Sequence, residues 1–267
     1  MVTQDAVKAD IDIDSCKRIV QQRARKVSSR VLFLAVAFVL PGAVFGQAPG
    51  ERQLALVYKG PGACDGCPEA AGVVAERLGL AVRYVSGPDI TADLLGRAAV
   101  YIQGGGDDAI DIKRSLTDAQ IDLLRRYVAD GGRYWGICAG AYFSAASIDD
   151  DGKVEGLKLF RGDTEPYSGS AAKVEKVRWA GAWRWMYLQD APRFVLEPYA
   201  DAEVLATYRT GAPAAIVAPY GRGWVSLSGP HPEATEDWLR DDGLDDPGLA
   251  GPELADRMLR DLLSRPK

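Results

Sequence analysis

Histidine is almost absent from this chain of 267 residues, in which His231 is the only example. Zinc proteases of the HExxH type and iron enzymes with two histidines and one carboxylate both need at least two histidine ligands. The sequence excludes both classes, and we predict neither a metal site nor a cofactor. Any reaction that needs an imidazole as its base must use His231.

The chain also has few cysteines, and it has fewer basic than acidic residues. Four cysteines are too few for a small disulfide-rich scaffold, but they are enough for one nucleophile and one pair. The chain has 32 Lys and Arg against 37 Asp and Glu, which gives a net charge of −5. An acidic surface argues against nucleic acid as a partner.

Long hydrophobic runs are lacking as well. The apolar segment at residues 31–40 is far shorter than the ~20 residues that span a bilayer. Basic residues precede it, and a small residue, Gly46, lies at the predicted cleavage point. This order is typical of a secretory signal, so we predict a signal peptide at residues 1–46, an exported protein that is periplasmic or secreted, and one domain at residues 47–267. The alternative is an uncleaved N-terminal anchor, and only then is the membrane a partner.

Strands and helices alternate along the first half of the predicted domain. The predicted strands there lie at residues 53–59, 81–85, 98–103 and 133–137. Helices are predicted at residues 68–78 and after a capping box formed by Thr117 and Gln120. This alternation predicts an α/β fold with a mostly parallel sheet in three layers. The second half is strand-rich, with strands within residues 177–188, 203–207, 214–218 and 223–228 and a helix at 252–264.

Cys138 follows directly after an apolar strand, and Gly136 and Gly140 flank it at a distance of two residues. A cysteine in this setting is typical of a nucleophile elbow, whose sharp turn admits only small neighbours. The N-terminus of the following helix favours the thiolate, and the amide of Ala139 is predicted to stabilise an oxyanion. The alternative is a buried structural cysteine between packing glycines.

His231 lies between Pro230 and Pro232 after a predicted strand, and Glu233 follows two residues later. The prolines restrict the backbone on both sides, so a turn could bring the carboxylate to the imidazole. A cysteine nucleophile needs a histidine as its base, and that histidine needs an acid that fixes its tautomer. We therefore predict a catalytic triad of Cys138, His231 and Glu233. The alternative is a surface histidine without a catalytic role.

Three glycines, from Gly104 to Gly106, follow the predicted strand at residues 98–103. Ligands of open α/β sheets bind at the carboxyl ends of the strands, so a glycine amide there can donate to the site. Gly104 and Gly105 are equal candidates for the second oxyanion donor. A plain turn is the alternative.

Three segments in a fixed order carry a resemblance to a known family: GGGDD at residues 104–108, GGRYWGICAGAYF at 131–143 and GPHPE at 229–233. The set resembles the class I glutamine amidotransferase-like superfamily, and more closely the biotin-protein ligase N-terminal domain in its free-standing bacterial form. The resemblance implies a flavodoxin-like three-layer sandwich. It also implies that the cysteine of the second segment is the nucleophile and that the histidine and glutamate of the third are its base and orienting acid.

Tyr142 departs from the pattern of that superfamily. Glutamine amidotransferases usually carry a glutamine at this position, where it helps hold the substrate. We therefore expect a small-molecule or peptide amide rather than free glutamine as the substrate. The predicted function is that of a cysteine-dependent amide hydrolase or acyl transferase, and the alternative is a non-catalytic binding or scaffold module on the same fold.

Cys64 and Cys67 form a CxxC motif before a predicted helix, in a chain that is expected to meet an oxidising compartment. Three interpretations are open: a local disulfide, a redox pair of the thioredoxin type, or a switch in which one of them pairs with Cys138. The aromatic segment at residues 179–187 is expected to be a half-buried strand rather than a ligand groove.

Overall fold

The computed structural model describes residues 53–149, 152–250 and 252–266, and the predicted signal peptide lies outside them. The strands within these residues are β1 (Leu54–Tyr58), β2 (Ala81–Val85), β3 (Ala98–Gln103), β4 (Arg133–Ile137), β5 (Gly162–Pro166), β6 (Lys173–Trp179), β7 (Ala182–Leu188), β8 (Pro192–Leu196), β9 (Glu203–Thr207), β10 (Pro213–Tyr220) and β11 (Gly223–Ser228). The helices are α1 (Cys67–Arg77), α2 (Ala92–Gly96), α3 (Ala109–Arg114), α4 (Asp118–Ala129), α5 (Ala139–Ser144), α6 (Glu236–Asp241) and α7 (Glu253–Ser264).

Nine strands form one sheet in the order β2-β1-β3-β4-β11-β10-β9-β6-β7, and β5 pairs with β8 separately. The strands from β2 to β11 pair in parallel, and those from β11 to β7 pair antiparallel. The chain therefore has an α/β fold with a large mixed sheet, and the expectation of a mostly parallel sheet is wrong in its proportion. The reason is that β6 to β11 follow one another without an intervening helix, whereas parallel neighbours need a crossover connection.

The segment at residues 177–188 is not one strand. It contains the end of β6, a hairpin turn and the whole of β7. The turn consists of Ala180 and Gly181, whose φ angles are 50° and 82°. Positive φ at both central residues is the geometry of the type I′ turn, which fits the twist of two antiparallel strands. The aromatic residues of this segment are therefore divided between two strands.

Two buried clusters cover the opposite faces of the sheet. In β1, Ala55 and Val57 belong to the cluster that contains α1 and α7, while Leu56 and Tyr58 belong to the cluster that contains α2 to α5. Successive side chains of a strand point to opposite faces, so helices pack on both sides of the parallel strands. This packing fixes the carboxyl ends of those strands, and the candidate site residues come just after these ends in the chain.

The two helices with the clearest sequence signals are confirmed. At the start of α4, the side chain of Thr117 accepts from the amide of Gln120 at 3.3 Å, and the side chain of Gln120 accepts in return at 2.9 Å. In α7, the three apolar residues of one face, Leu254, Met258 and Leu262, are buried. Among the helices of the described residues, none has the length and apolar character needed to cross a membrane.

The antiparallel edge of the sheet returns to the end of β11. Tyr187 of β7 forms an isolated antiparallel bridge with His231, in which the amide of His231 donates to the carbonyl of Tyr187 at 3.0 Å. Strand β7 is distant from β11 in the sheet order, so the sheet curls until its edge reaches the carboxyl ends of the parallel strands.

Candidate active site

Cys138 lies at a sharp turn between β4 and α5. Its φ of 50° and ψ of −107° are a backbone conformation that residues other than glycine rarely adopt. Its amide donates to the carbonyl of Ser228 in β11 at 2.8 Å, and only 5% of the residue is exposed. Strained backbone persists where the surroundings enforce it, and here the two adjacent parallel strands do so.

The glycines that flank Cys138 are required by close backbone contacts. A Cβ at Gly136 would lie 2.7 Å from the carbonyl oxygen of Gly140. A Cβ at Gly140 would lie 2.0 Å from the carbonyl oxygen of Gln103, at the end of β3. No side chain fits at these distances, so the turn has the tight geometry that the sequence predicts for a nucleophile elbow.

His231 and Glu233 follow β11, the parallel neighbour of β4. Nδ1 of His231 is 2.9 Å from Oε1 of Glu233, and the two side chains are 4% and 0% exposed. Cys138 and His231 line the same cavity, and the thiol lies close enough to the imidazole to affect its pKa. The structure thus brings together the three residues of the predicted triad.

Two opposing effects act on the protonation of His231. Burial lowers its pKa, but the negative charges of Glu233 and Cys138 and the hydrogen bonds to both raise the pKa from the ordinary 6.5 to about 10. The thiol of Cys138 donates a hydrogen bond to the carbonyl oxygen of Gln189 at 3.4 Å.

The wall opposite the nucleophile comes from β7 and α6. The ring of Tyr187 meets the imidazole of His231 edge-on at 5.6 Å, and the ring of Trp238 lies 5.3 Å from the same imidazole. The hydroxyl of Tyr187 donates to Asp242 at 2.7 Å. These contacts exclude solvent from the buried imidazole and limit its movement.

Two cavities open on Cys138, with volumes of about 180 Å³ and about 200 Å³. Asp107, Asp190 and Gly106 line both of them. Among the described residues that line either cavity there is no Lys or Arg. Tyr142 lines the larger cavity, so the residue that departs from the amidotransferase pattern lies beside the nucleophile.

A third cavity, of about 450 Å³, lies at the other end of the same strands, where Ala98 and Arg133 begin β3 and β4. It is larger, but it contains no cysteine or histidine. Ligands of open α/β sheets bind at the carboxyl ends of the strands. We therefore assign the candidate site to the cavities beside Cys138.

The three glycines after β3 have different surroundings. A Cβ at Gly104 would lie 3.4 Å from the nearest atom, the carbonyl oxygen of Cys67, whereas one at Gly105 would lie 2.7 Å from Cε1 of His231. Neither glycine lines the cavities at Cys138, but Gly106 lines both. The amides of Gly106 and Ala139 have no hydrogen-bond acceptor among the residues that the structure describes. Gly106 is therefore a further candidate for the second oxyanion donor.

Cys64 and Cys67 are joined by a disulfide with a Cα–Cα distance of 5.5 Å. Cys138 is a free thiol. The structure therefore has the local pairing rather than the pairing of a switch. Both cysteines of the disulfide line the smaller cavity together with Cys138, so the motif belongs to the same site.

Several site residues were missed by reasoning from the sequence. Tyr187, Gln189 and Asp190 lie at or just beyond the end of β7, which carries no motif and reaches the site only because the sheet curls. Trp238 lies in α6, five residues after Glu233. Gly106 is the one missed residue that has a signal in the sequence, because it belongs to the same run of glycines after β3 as Gly104 and Gly105.

The comparisons with known proteins agree with this architecture. Residues 54–158 match the family model described as "Biotin-protein ligase, N terminal". No protein of curated function matches the sequence significantly.

Solved structures with the same fold include two glutamine amidotransferases. One is 21% identical, with a TM-score of 0.53 over 72% of this chain and 99% of that chain. The other, from Thermotoga maritima, is 13% identical, with a TM-score of 0.52 over 81% and 98%. A ThuA-like protein from Bacteroides uniformis is 14% identical, with a TM-score of 0.53 over 85% and 97%. At these identities the likeness establishes the fold alone.

The resemblance predicted from the sequence is thus confirmed: residues 54–158 match the biotin-protein ligase N-terminal family model, and the chain shares its fold with solved glutamine amidotransferases.

Proposed function

We propose that this chain is an exported, cysteine-dependent amide hydrolase or acyl transferase. In this proposal Cys138 is the nucleophile, His231 is the general base and acid, and Glu233 orients the imidazole. The observation that carries the proposal is the buried hydrogen bond between His231 and Glu233 at the cavity that Cys138 also lines. Export rests on the order of basic, apolar and small residues before position 47.

The reaction follows from these positions. The thiolate of Cys138 attacks the amide carbonyl carbon, and the amides of Ala139 and Gly106 stabilise the oxyanion that forms. The imidazolium of His231 gives its proton to the departing nitrogen as the carbon–nitrogen bond breaks, which leaves a thioester and a free amine. The neutral imidazole then takes a proton from water, whose oxygen attacks the thioester and releases a carboxylic acid, which restores the thiolate of Cys138 and the imidazolium of His231.

The finer description of the fold is part of the same proposal. Helices pack on both faces of the parallel strands β2 to β11, which supports a flavodoxin-like three-layer sandwich. In such a fold the carboxyl ends of the strands are the binding edge. Cys138 and His231 follow two adjacent strands at this edge.

The charges of the cavities support a substrate other than free glutamine. Asp107 and Asp190 line both cavities, and Asp108 lines the larger one. Carboxylates that line the cavities beside the nucleophile repel the α-carboxylate of free glutamine. Tyr142 stands where the amidotransferase pattern has its substrate-binding glutamine. We propose a neutral or cationic amide, either a small molecule or a peptide, as the substrate.

One observation favours the alternative, a binding module without turnover. The hydrogen bond from the thiol of Cys138 to the carbonyl of Gln189 stabilises the unreactive form. The two functions differ in the reactivity of this thiol at neutral pH.

Two probes test the proposal: alkylation of the full chain by iodoacetamide, and release of nitrophenolate from p-nitrophenyl acetate. We expect Cys138 to be alkylated at least about tenfold faster than free cysteine at pH 7, because a thiolate is the reactive form. We also expect a burst of nitrophenolate, which is lost in Cys138→Ala. Peptide mapping distinguishes Cys138 from Cys16. Equal behaviour of the wild type and Cys138→Ala with this ester and with a panel of amides would reject the enzyme and leave the binding module.

A further inference from the structure

The Cys64–Cys67 disulfide has no part in the proposed reaction, yet it lines the same cavity as the nucleophile. Cys67 is the first residue of α1 and is 3% exposed. Cys64 is half-buried in the loop before it. The bond is therefore held by a helix of the core on one side and faces the cavity on the other.

Gly105 separates this disulfide from the candidate base. A Cβ at Gly105 would lie 2.7 Å from Cε1 of His231, 3.0 Å from Sγ of Cys67 and 3.4 Å from Sγ of Cys64. The imidazole and the disulfide thus contact the same glycine. Gly105 is therefore the point at which the disulfide comes nearest to the candidate base.

The disulfide loop also contacts the next peptide group. The amide of Cys64 donates a long hydrogen bond to the carbonyl of Gly105 at 3.5 Å. The peptide between Gly105 and Gly106 is planar and trans, so the N–H of Gly106 points away from the Cys64 amide. A Cβ at Gly106 would lie 3.0 Å from Cβ of Ala139, so this amide lies close to the other predicted oxyanion donor.

Glycine on both sides gives this peptide group no Cβ of its own to restrict φ and ψ, and Gly106 packs instead against the disulfide loop, where a Cβ would lie 2.1 Å from the carbonyl oxygen of Gly62. A reversed peptide would point the carbonyl of Gly105 at the developing oxyanion and destabilise it. The orientation therefore needs an external constraint. The structure offers one, the Cys64 amide, whose own position is fixed by the bond to Cys67.

We propose that the Cys64–Cys67 disulfide is a positioning element that holds the Gly106 amide in the orientation of an oxyanion donor. This inference rests on the proposed function of Cys138. Reduction of the bond, in which the disulfide takes up two electrons and two protons from an added phosphine and water, releases Cys64 and frees the Gly105–Gly106 peptide. Among the described residues, no hydrogen bond joins the side chain of Cys138, His231 or Glu233 to Cys64 or Cys67.

Two reactions of the same thiol separate this role from a general effect on the fold. Alkylation of Cys138 by iodoacetamide forms no oxyanion, whereas acylation by p-nitrophenyl acetate passes through a tetrahedral oxyanion. Both rates are measured at pH 7 for the full chain, first oxidised and then after reduction with a trialkylphosphine that is removed before the assay. The same pair of rates is measured for the double variant Cys64→Ser/Cys67→Ser, which keeps the side-chain size without the bond.

We expect the acylation rate to fall by about tenfold or more on reduction and in the double variant, since loss of one oxyanion donor costs about 10²- to 10³-fold in known cases. The alkylation rate is expected to change by less than about twofold. Reoxidation of the wild type should restore acylation, and the double variant should not respond to the phosphine. Near-ultraviolet circular dichroism monitors the fold in each state.

The outcomes are distinct. An acylation rate that is unchanged by reduction overturns the positioning role, and an equal fall in both rates assigns the disulfide to stability alone. A wild type in which neither reagent modifies Cys138 faster than free cysteine rejects the proposed function instead.

Discussion

The two halves of the large sheet make different contributions to the candidate site. The parallel half, β2-β1-β3-β4-β11, supplies the disulfide loop, the glycine loop, Cys138 and His231, each directly after a strand. The antiparallel half supplies a wall, Tyr187 and Asp190, at the end of β7. Helices pack on both faces of the parallel half and fix the ends of its strands. In the proposed function, the nucleophile and the base thus belong to the half that helices cover on both faces, and we propose that the half that curls over them selects the substrate.

The largest effect is expected in the parallel half, for Glu233→Gln. The amide keeps the size of the side chain and can still accept from Nδ1 of His231, but it removes the negative charge that raises the pKa of the imidazole to about 10. Burial then acts against a smaller opposing effect and lowers that pKa, so His231 holds its proton less firmly than in the wild type. We expect acylation by p-nitrophenyl acetate to fall by about a hundredfold or more.

The same variant has a consequence for stability that needs no substrate. A histidine whose pKa is higher in the folded chain stabilises it fully at pH values below 6.5 and loses this contribution as the pH rises toward about 10. The difference in Tm between the wild type and Glu233→Gln should therefore be largest below pH 6.5 and shrink above it. A difference that is constant with pH would show that the carboxylate does not control the charge of His231.

A smaller effect within the parallel half is expected for Gly105→Ala, with the adjacent Gly104→Ala as its control. The Cβ added by Gly105→Ala would approach Cε1 of His231 to 2.7 Å, but the Cβ added by Gly104→Ala would have its nearest contact at 3.4 Å. Forced contacts of the first kind cost about 1–3 kcal/mol of stability, and here they also displace the base. We expect acylation to fall about tenfold for Gly105→Ala and less than about twofold for Gly104→Ala, with thermal melting of both as the structural measurement. Equal losses would mean that the loop has no specific contact with His231.

The sequence predicts the parallel half better than the antiparallel half, and the reason is physical. Cys138 and His231 each follow a strand within a local pattern of glycine or proline, so the residues that fix their backbone are their neighbours in sequence. The helix caps at Thr117 and Gln120 are local in the same sense. Local patterns of this kind are readable without knowledge of the tertiary contacts.

The residues at the end of β7 that form the wall of the site could not be predicted from local sequence patterns. Tyr187 reaches His231 through a bridge between segments 44 residues apart in the sequence, and this bridge depends on the twist accumulated over several strands. The role of Gly105 depends on the packing of His231 against the disulfide, which involves three separate loops. The second oxyanion donor could likewise not be chosen among the three glycines from the sequence, because the choice depends on how one peptide group is oriented in the folded chain.

The smallest effect is expected in the antiparallel half, for Asp190→Asn. Asp190 has a φ of 46°, which asparagine also adopts readily, so the variant changes the charge of the cavities and little else. We expect the preference for the p-nitrophenyl ester of glycine, which carries an ammonium group, over p-nitrophenyl acetate to fall by about two- to fivefold, as for an exposed ion pair. The exposed Asp245 lines neither cavity, so Asp245→Asn is the matched control and should leave the ratio unchanged. Added salt should reduce the preference of the wild type, because it screens exposed charges. A ratio that is the same in the wild type and Asp190→Asn would remove substrate selection from this half of the sheet and leave it the role of excluding water from His231.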